Sequence, residues 1–213
     1  MKIKTVIWDW DGTLIDSFFA CYRATKDILS LFGINLSKEE YTKNFIPNWY
    51  EMYERFGLKR EYWQIVDNLW YKYFDYSSVK WREGAIENLE FLRDLGIRQG
   101  VVTASTKKDI EKESIYLKPE RFIEHFICWE DSIKKKPDPE PLFKILEILN
   151  IKPEETVYIG DTTEDIIMGK RAKVKLVIAV HSCFDEKEDL MKASPDYFFE
   201  NLFDLLSFWK NLK

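Results

Sequence analysis

Five short runs of apolar residues punctuate the chain: Thr5 to Trp8, Gln99 to Val102, Phe126 to Cys128, Thr156 to Ile159 and Leu176 to Val180. They are too continuous for half-exposed strands, so they are expected to lie in a parallel sheet covered on both faces. Between them the period lengthens to three and four. Ala85, Leu89, Leu92 and Leu95 form a helical stripe closed by Gly96. Leu142, Leu146 and Leu149 form another behind Pro139 and Pro141, which suit a first helical turn. From residue 81 onward the order is strand, helix, strand, helix, which predicts right-handed crossovers and a doubly wound α/β sheet. A polar final helix is expected after Pro195.

Residues 17–80 break this rhythm, because helical patterns follow one another with no convincing strand between them. Ser37 and Glu40 have capping-box spacing, Gly33 and Gly57 read as helix ends, and Ile65, Leu69 and Tyr73 predict an amphipathic helix running to about Asp75. The expected organisation is therefore an α/β core of residues 1–16 and 81–213 with an all-helical insertion at 17–80. The tips of that insertion would overhang the strand ends. Aromatic residues make up 16% of the chain, and Trp49, Trp63, Trp70 and Trp81 fall in one stretch of its first half, which is expected to have a core of its own.

Composition narrows the function. With 213 residues, 46% hydrophobic and 32% charged, the chain supports an ordinary globular core plus a modest inserted module. A formal net charge of −5 provides no basic field for nucleic acid or an anionic membrane surface, so neither is an expected partner. The apolar run Val6 to Trp8 is too short for a signal peptide or membrane span, and a cytoplasmic location is expected. Cys21, Cys128 and Cys183 are widely spaced and match no metal-ligand pattern, so they read as reduced structural thiols.

In a doubly wound sheet, ligands collect beyond the carboxyl ends of the strands, and four of those ends here carry chemistry. The first supplies Asp9, Asp11, Gly12 and Thr13. Residues two apart in extended chain point the same way, so both carboxylates can face one pocket. The second ends at Thr103, a hydroxyl suited to an anion's oxygen. Downstream of the third stands Lys136, before Pro137, and the fourth supplies Asp161 and Asp165. Singly, each has a plainer reading: Thr103 as a strand residue, Lys134 to Lys136 as a solvated charge run, Gly160 and Asp161 as a turn. A calcium loop starting at Asp9 would require glycine near Leu14 and an acid at Ala20, and has neither. Acid pair, hydroxyl, lysine and acid pair in order at successive strand ends is a far less ordinary combination.

The runs DWDGTLIDS (9–17), VVTAS (101–105), KPDP (136–139) and GDTTED (160–165) together resemble the four motifs of the haloacid dehalogenase superfamily, in particular its phosphoglycolate phosphatase-like members with a helical cap. The resemblance covers essentially the whole chain and implies a Rossmann-like core. It implies Asp9 as nucleophile, Asp11 as general acid and base, Thr103 on the phosphoryl oxygens and Lys136 as charge balance. It also implies magnesium held within the set Asp9, Asp11, Asp161 and Asp165, with Asp165 acting through water or by orienting Lys136, and Thr13 assisting near the acid pair. Ala104 stands at a substrate-facing position where many relatives carry an amide, and Lys173 where relatives often carry glycine. Asn48 and Trp49, beside Pro47, resemble the substrate-facing segment of the cap. His125 reads as a surface or packing residue and His181 as a strand-end residue that the mechanism does not need. The implied activity is magnesium-dependent hydrolysis of a small phosphorylated metabolite. A dehalogenase would not need Asp11 or the second acidic pair, and a phosphonatase would lack Asp11 and use a cap lysine. A sugar phosphomutase of the same superfamily and a catalytically silent binding protein are the alternatives.

Overall fold

A computed structural model describes residues 3–211; the outermost residues of the expected core segments, 1–2 and 212–213, lie outside them. The chain opens with β1 (Thr5–Trp8) and a two-residue β2 (Ile15–Asp16). Four helices follow: α1 (Phe18–Ser30), α2 (Lys38–Asn44), α3 (Trp49–Arg55) and α4 (Trp63–Tyr73). The two-residue β3 (Lys80–Trp81) then pairs antiparallel with β2. Alternation resumes with α5 (Ala85–Asp94), β4 (Arg98–Val102), α6 (Lys107–Leu117), β5 (His125–Ile127) and α7 (Glu140–Leu149). It closes with β6 (Thr156–Gly160), α8 (Thr163–Arg171), β7 (Leu176–Val180), α9 (Lys187–Lys192), β8 (Tyr197–Phe199) and α10 (Leu202–Asn211).

The six-stranded sheet has the order β5-β4-β1-β6-β7-β8 and every pairing in it is parallel. Side chains alternate across it. Val6 and Trp8 join Val101, Ile159 and Leu89 on one face, whereas Ile7 joins Tyr158, Leu142 and Ile145 on the other. Covering both faces explains why the strands read as unbroken apolar runs. The chain leaves β1 toward β4 and β5, then returns to build β6, β7 and β8 on the opposite side. The strand order therefore reverses between β1 and β6, and a crevice opens at their carboxyl ends.

A second apolar cluster links α1 to α4, with Phe18, Ile28, Leu29, Tyr41, Met52 and Val66 buried in it. Phe184, from the segment after β7, inserts into this cluster, its ring centroid 5.2 Å from Phe18 and 4.6 Å from Phe45. The helical layer is thereby packed to the sheet through a residue outside it.

The structure departs from the sequence expectation in several places. After Pro195 the chain first forms β8 beside β7, and α10 is not polar: Leu202, Leu205, Leu206 and Trp209 are buried along it. On α4, Val66 replaces Ile65 as the buried contact, and Ile65 is 51% exposed. The helix is apolar on two adjacent sides, one toward α1 and one toward a cavity, and Ile65 lies on the remaining solvent face with the exposed Asn68 and Lys72. Lys173 adopts φ 55°, the left-handed conformation that favours glycine, at about 1–2 kcal/mol of backbone strain. The strand expected at Phe126–Cys128 lies one residue earlier, and His125 opens it with its side chain exposed.

Candidate active site

Asp9, Asp11, Thr103 and Asp161 are delivered by the ends of strands, Lys136 by the loop between β5 and α7. Asp9 follows β1 and its amide donates to the carbonyl of Ile159 (2.7 Å), which carries the β1–β6 pairing one residue beyond the strand. Gly12 then turns the chain with φ 79°, and a Cβ there would lie 2.2 Å from Asp161 Oδ2. Only glycine lets this backbone approach the acid at the end of β6. The adjacent Thr13 donates from Oγ1 to Asp161 Oδ1 (2.6 Å), and Ser182 donates to Asp161 Oδ2 (2.5 Å). Asp165 closes a capping box with Thr162 at the start of α8 and also accepts from the Tyr158 hydroxyl (2.7 Å). Lys136 bridges the strand ends: its ammonium donates to Asp9 Oδ1 and, at 2.7 Å, to Asp165 Oδ1.

Three of the four expected metal-holding residues converge. Asp9, Asp161 and Asp165 are buried, with one carboxylate oxygen from each lying within 4.8 Å of the others. Asp11 is outside this cluster; its Oδ2 accepts from the Ser105 hydroxyl (2.5 Å), which holds the carboxylate toward the end of β4. Three carboxylates against one ammonium leave an excess of two negative charges in a dry site, the amount one divalent cation neutralises. All the donors are hard oxygens, as magnesium requires. The residues present therefore fit such an ion.

Burial, reinforced by that excess charge, governs protonation. Burial pushes Asp9 well above the ordinary carboxylate range; Lys136 opposes this, and repulsion from Asp165 and Asp161 adds to it. Asp161 is raised to about 6 by burial and by Asp165. Asp11 is raised by burial against the lowering effect of Ser105. Burial disfavours the charge on Lys136, but Asp165 and Asp9 outweigh it and hold the ammonium protonated.

Above these groups lies a cavity of about 310 Å³, whose lining includes Asp9, Asp11, Thr103, Ala104, Trp49 and Trp129. Thr103 is buried and its Oγ1 accepts from the Ser105 amide (2.9 Å). Trp49 packs on Trp129, ring centroids 4.1 Å apart. Asn48 does not line the main cavity. It borders a small adjoining recess with Ala104 and Lys136, donates to Glu51 (2.7 Å), and keeps its Oδ1 buried without a partner. His181 turns toward Glu200, with Nδ1 3.6 Å from Oε2.

Sequence reasoning missed three supports. Ser105 lies inside a recognised motif but was not singled out, and nothing about the isolated Ser182 marks it. Arg82 donates to the carbonyls of Gly12 and His181 and so ties the segments after β1 and β7 together. An arginine just past a strand carries no sequence signal for that role.

Fold and site together define a hydrolase built around an aspartate cluster on a Rossmann-like sheet. The sequence profile of the haloacid dehalogenase-like hydrolases matches residues 6–179, and the chain belongs to that family. Pyrophosphatase PpaX of Bacillus mycoides is 31% identical to it, the alignment covering 97% of this chain and 96% of that protein. Among solved structures, a Bacteroides fragilis chain assigned to the haloacid dehalogenase-like hydrolases superposes with a TM-score of 0.88 at 22% identity, over 96% of this chain and 100% of its own. A Haemophilus somnus chain assigned as a phosphoglycolate phosphatase does so with a TM-score of 0.87 at 16% identity, over 98% and 99%. No helix among the described residues is long and apolar enough to cross a membrane.

Proposed function

We propose that this chain is a magnesium-dependent phosphatase that hydrolyses a small phosphate monoester through an aspartyl phosphate on Asp9. The observation that carries the reading is the separation of the two acids after β1: Asp9 sits against Lys136 in the carboxylate cluster, and Asp11 is held apart by Ser105. A carboxylate attacks a phosphate dianion only when their repulsion is cancelled. Lys136 supplies one positive charge, and a bound magnesium ion would add two more and polarise the phosphoryl oxygens. Asp9, Asp161 and Asp165 are the residues to hold that ion, with Asp165 also orienting Lys136.

In the first step an Asp9 oxygen bonds to phosphorus, the ester P–O bond breaks, and Asp11, protonated at the start, gives its proton to the departing alkoxide. Thr103, in the wall of the cavity, donates to a phosphoryl oxygen. In the second step water attacks the aspartyl phosphate, Asp11 takes the water's proton, and inorganic phosphate leaves with the Asp9 carboxylate restored. Residues 17–80 act as a cap over the core of 1–16 and 81–213, in keeping with a cytoplasmic enzyme of small metabolites. The names of its relatives, a pyrophosphatase and a phosphoglycolate phosphatase, support phosphate release as the reaction.

Phosphate release from p-nitrophenyl phosphate tests this directly. Activity should require magnesium, disappear in chelator, and be lost in Asp9→Asn and Asp161→Asn. Full activity in chelator or robust turnover by Asp9→Asn refutes the proposal, and, with a hexose phosphate as substrate, an isomerised ester formed without phosphate release would assign a phosphomutase instead.

A further inference from the structure

The cavity that receives the leaving group is unusual in its charge. Asp67, Asp109, Glu113 and Glu130 line it beyond the carboxylates of the reaction centre, yet among the described residues no lysine or arginine does. Lys136 borders the adjoining recess, and Lys108, whose ammonium lies 3.7 Å from the Tyr71 ring centroid, is not part of the main lining either. All four acids accept hydrogen bonds within the protein. Asp109 accepts from Trp70, Tyr76 and Thr106, and Glu113 from the Trp10 indole at 2.7 Å. Asp67, on the wall, accepts only from the Tyr50 hydroxyl among the described residues, and Glu130, at the exposed rim, accepts from the Lys107 amide.

The rest of the wall is aromatic. On α4, Asp67, Trp70, Tyr71 and Phe74 recur at i, i+3, i+4 and i+7, so one stripe of that helix faces the cavity. Trp49 and Tyr50 supply further lining, with ring centroids 5.5 Å apart. The Tyr50 hydroxyl donates to Asp67 Oδ2 at 2.5 Å, which fixes the carboxylate beside the rings. Aromatic faces with a carboxylate among them attract a cation that has apolar surface, and they repel an anion.

Resting on the phosphatase reading above, we propose that the substrate is the phosphate monoester of a small cationic alcohol, a tertiary or quaternary ammonium, seated among Trp49, Tyr50 and Trp70 with Asp67 as its counter-charge. The same wall disfavours the substrate types in the relatives' names. The leaving halves of pyrophosphate and phosphoglycolate are both anionic, and each would meet carboxylates with no lysine or arginine among the described residues in the main lining to receive it.

The experiment compares kcat/KM of the purified full chain with magnesium for phosphocholine, for its neutral isostere 3,3-dimethylbutyl phosphate, and for phosphoglycolate and pyrophosphate, with p-nitrophenyl phosphate as a generic ester. Phosphocholine should exceed the isostere by about tenfold, the scale of a desolvated cation–aromatic contact. Both should exceed the two anionic substrates. Asp67→Asn should bring the phosphocholine-to-isostere ratio close to one and Asp67→Glu should restore it, a split that general loosening of the fold would not produce. A wild-type ratio of one or less, or preference for phosphoglycolate or pyrophosphate, overturns the inference and leaves the phosphatase reading intact. Failure to hydrolyse even p-nitrophenyl phosphate removes both.

Discussion

Replacing Lys136 by methionine keeps most of the hydrocarbon stem and deletes the only ammonium among the described residues that touches Asp9 and Asp165. The pair is buried, with side-chain exposures of 4% for Lys136 and 8% for Asp9, so water compensates little for the loss. Two unit charges about 4 Å apart at an effective dielectric of about 20 interact by about 4 kcal/mol. If that attraction is what holds Asp9 ionised opposite an incoming phosphate dianion, kcat/KM should fall by about 10³. The pH profile should move in a defined direction. Asp9 must be deprotonated to attack, and Lys136 lowers a pKa that burial has raised, so its removal shifts the acid limb of kcat/KM to higher pH. Stability should change as well, since removing one partner of a buried ion pair costs about 3–5 kcal/mol. The assay is phosphate release from p-nitrophenyl phosphate across pH at saturating magnesium, with thermal melting run in parallel. A folded Lys136→Met enzyme within tenfold of the parent, with an unmoved acid limb, would falsify the charge-balance role and pass it to Lys134 or Lys135.

Asp11→Asn should lose about 10² to 10⁴ in rate yet still form the covalent intermediate from an ester with a good leaving group. Rapid quench with labelled substrate should then find phosphate accumulating on the peptide that carries Asp9, and label on a histidine would refute the mechanism. Thr13→Val removes the hydroxyl that donates to Asp161, so the magnesium concentration for half-maximal activity should rise by about 10- to 100-fold; an unchanged magnesium titration would make Thr13 purely structural. Glu113 is buried, chiefly desolvated, and pushed well above the ordinary carboxylate range, so the folded state keeps a proton that the unfolded chain releases near pH 4.5. Its ionisation therefore costs stability as pH rises beyond that point, and Glu113→Gln should melt higher than the parent at pH 8, with the advantage shrinking toward pH 4. Equal melting temperatures across that range would show Glu113 to be ionised in the folded protein.

The sheet was legible because its central strands are buried on both faces and so read as unbroken apolar runs, and Asp9, Thr103 and Asp161 were legible because they stand where those runs stop. What escaped did so for physical reasons. The buried stripe of α6 contains Asp109 and Glu113 beside Ile110 and Leu117, so its apolar periodicity is interrupted by two of the residues that matter most to the cavity. β8 is three residues long and follows Pro195, too short for a pattern. Asp67 looks like any solvated helical acid until the fold shows that Trp70, Tyr71 and Phe74 share its face. Ile65, conversely, has the spacing of a core residue on a helix whose two packed sides leave it in solvent. Asp11, expected among the metal-holding residues, stands apart from the cluster of Asp9, Asp161 and Asp165 because Ser105, a side chain distant in sequence, draws its carboxylate toward β4.

The cavity wall and the acid-base group share one anchor. Asp109, at the third position of α6, accepts through Oδ1 from the Trp70 indole of α4 (3.2 Å) and from the Tyr76 hydroxyl (2.5 Å). Through Oδ2 it accepts from the amide and hydroxyl of Thr106, the residue that caps α6. Ser105, which holds Asp11, immediately precedes Thr106, and the Tyr71 hydroxyl lies 3.1 Å from Thr106 Oγ1. The aromatic stripe that faces the cavity and the serine that holds Asp11 are thus referenced to one buried carboxylate. Moving α4 relative to Ser105 would strip donors from that carboxylate, at about 1–3 kcal/mol for each buried group left without a partner. On the proposed mechanism the α4 wall and the Asp11 carboxylate therefore keep a fixed relation, with Tyr50 tied to α4 through Asp67 and Glu130 to the start of α6 through the Lys107 amide, while Trp49, packed on Trp129, stands outside these hydrogen bonds. Substituting Trp49 would then alter selectivity without moving Asp11.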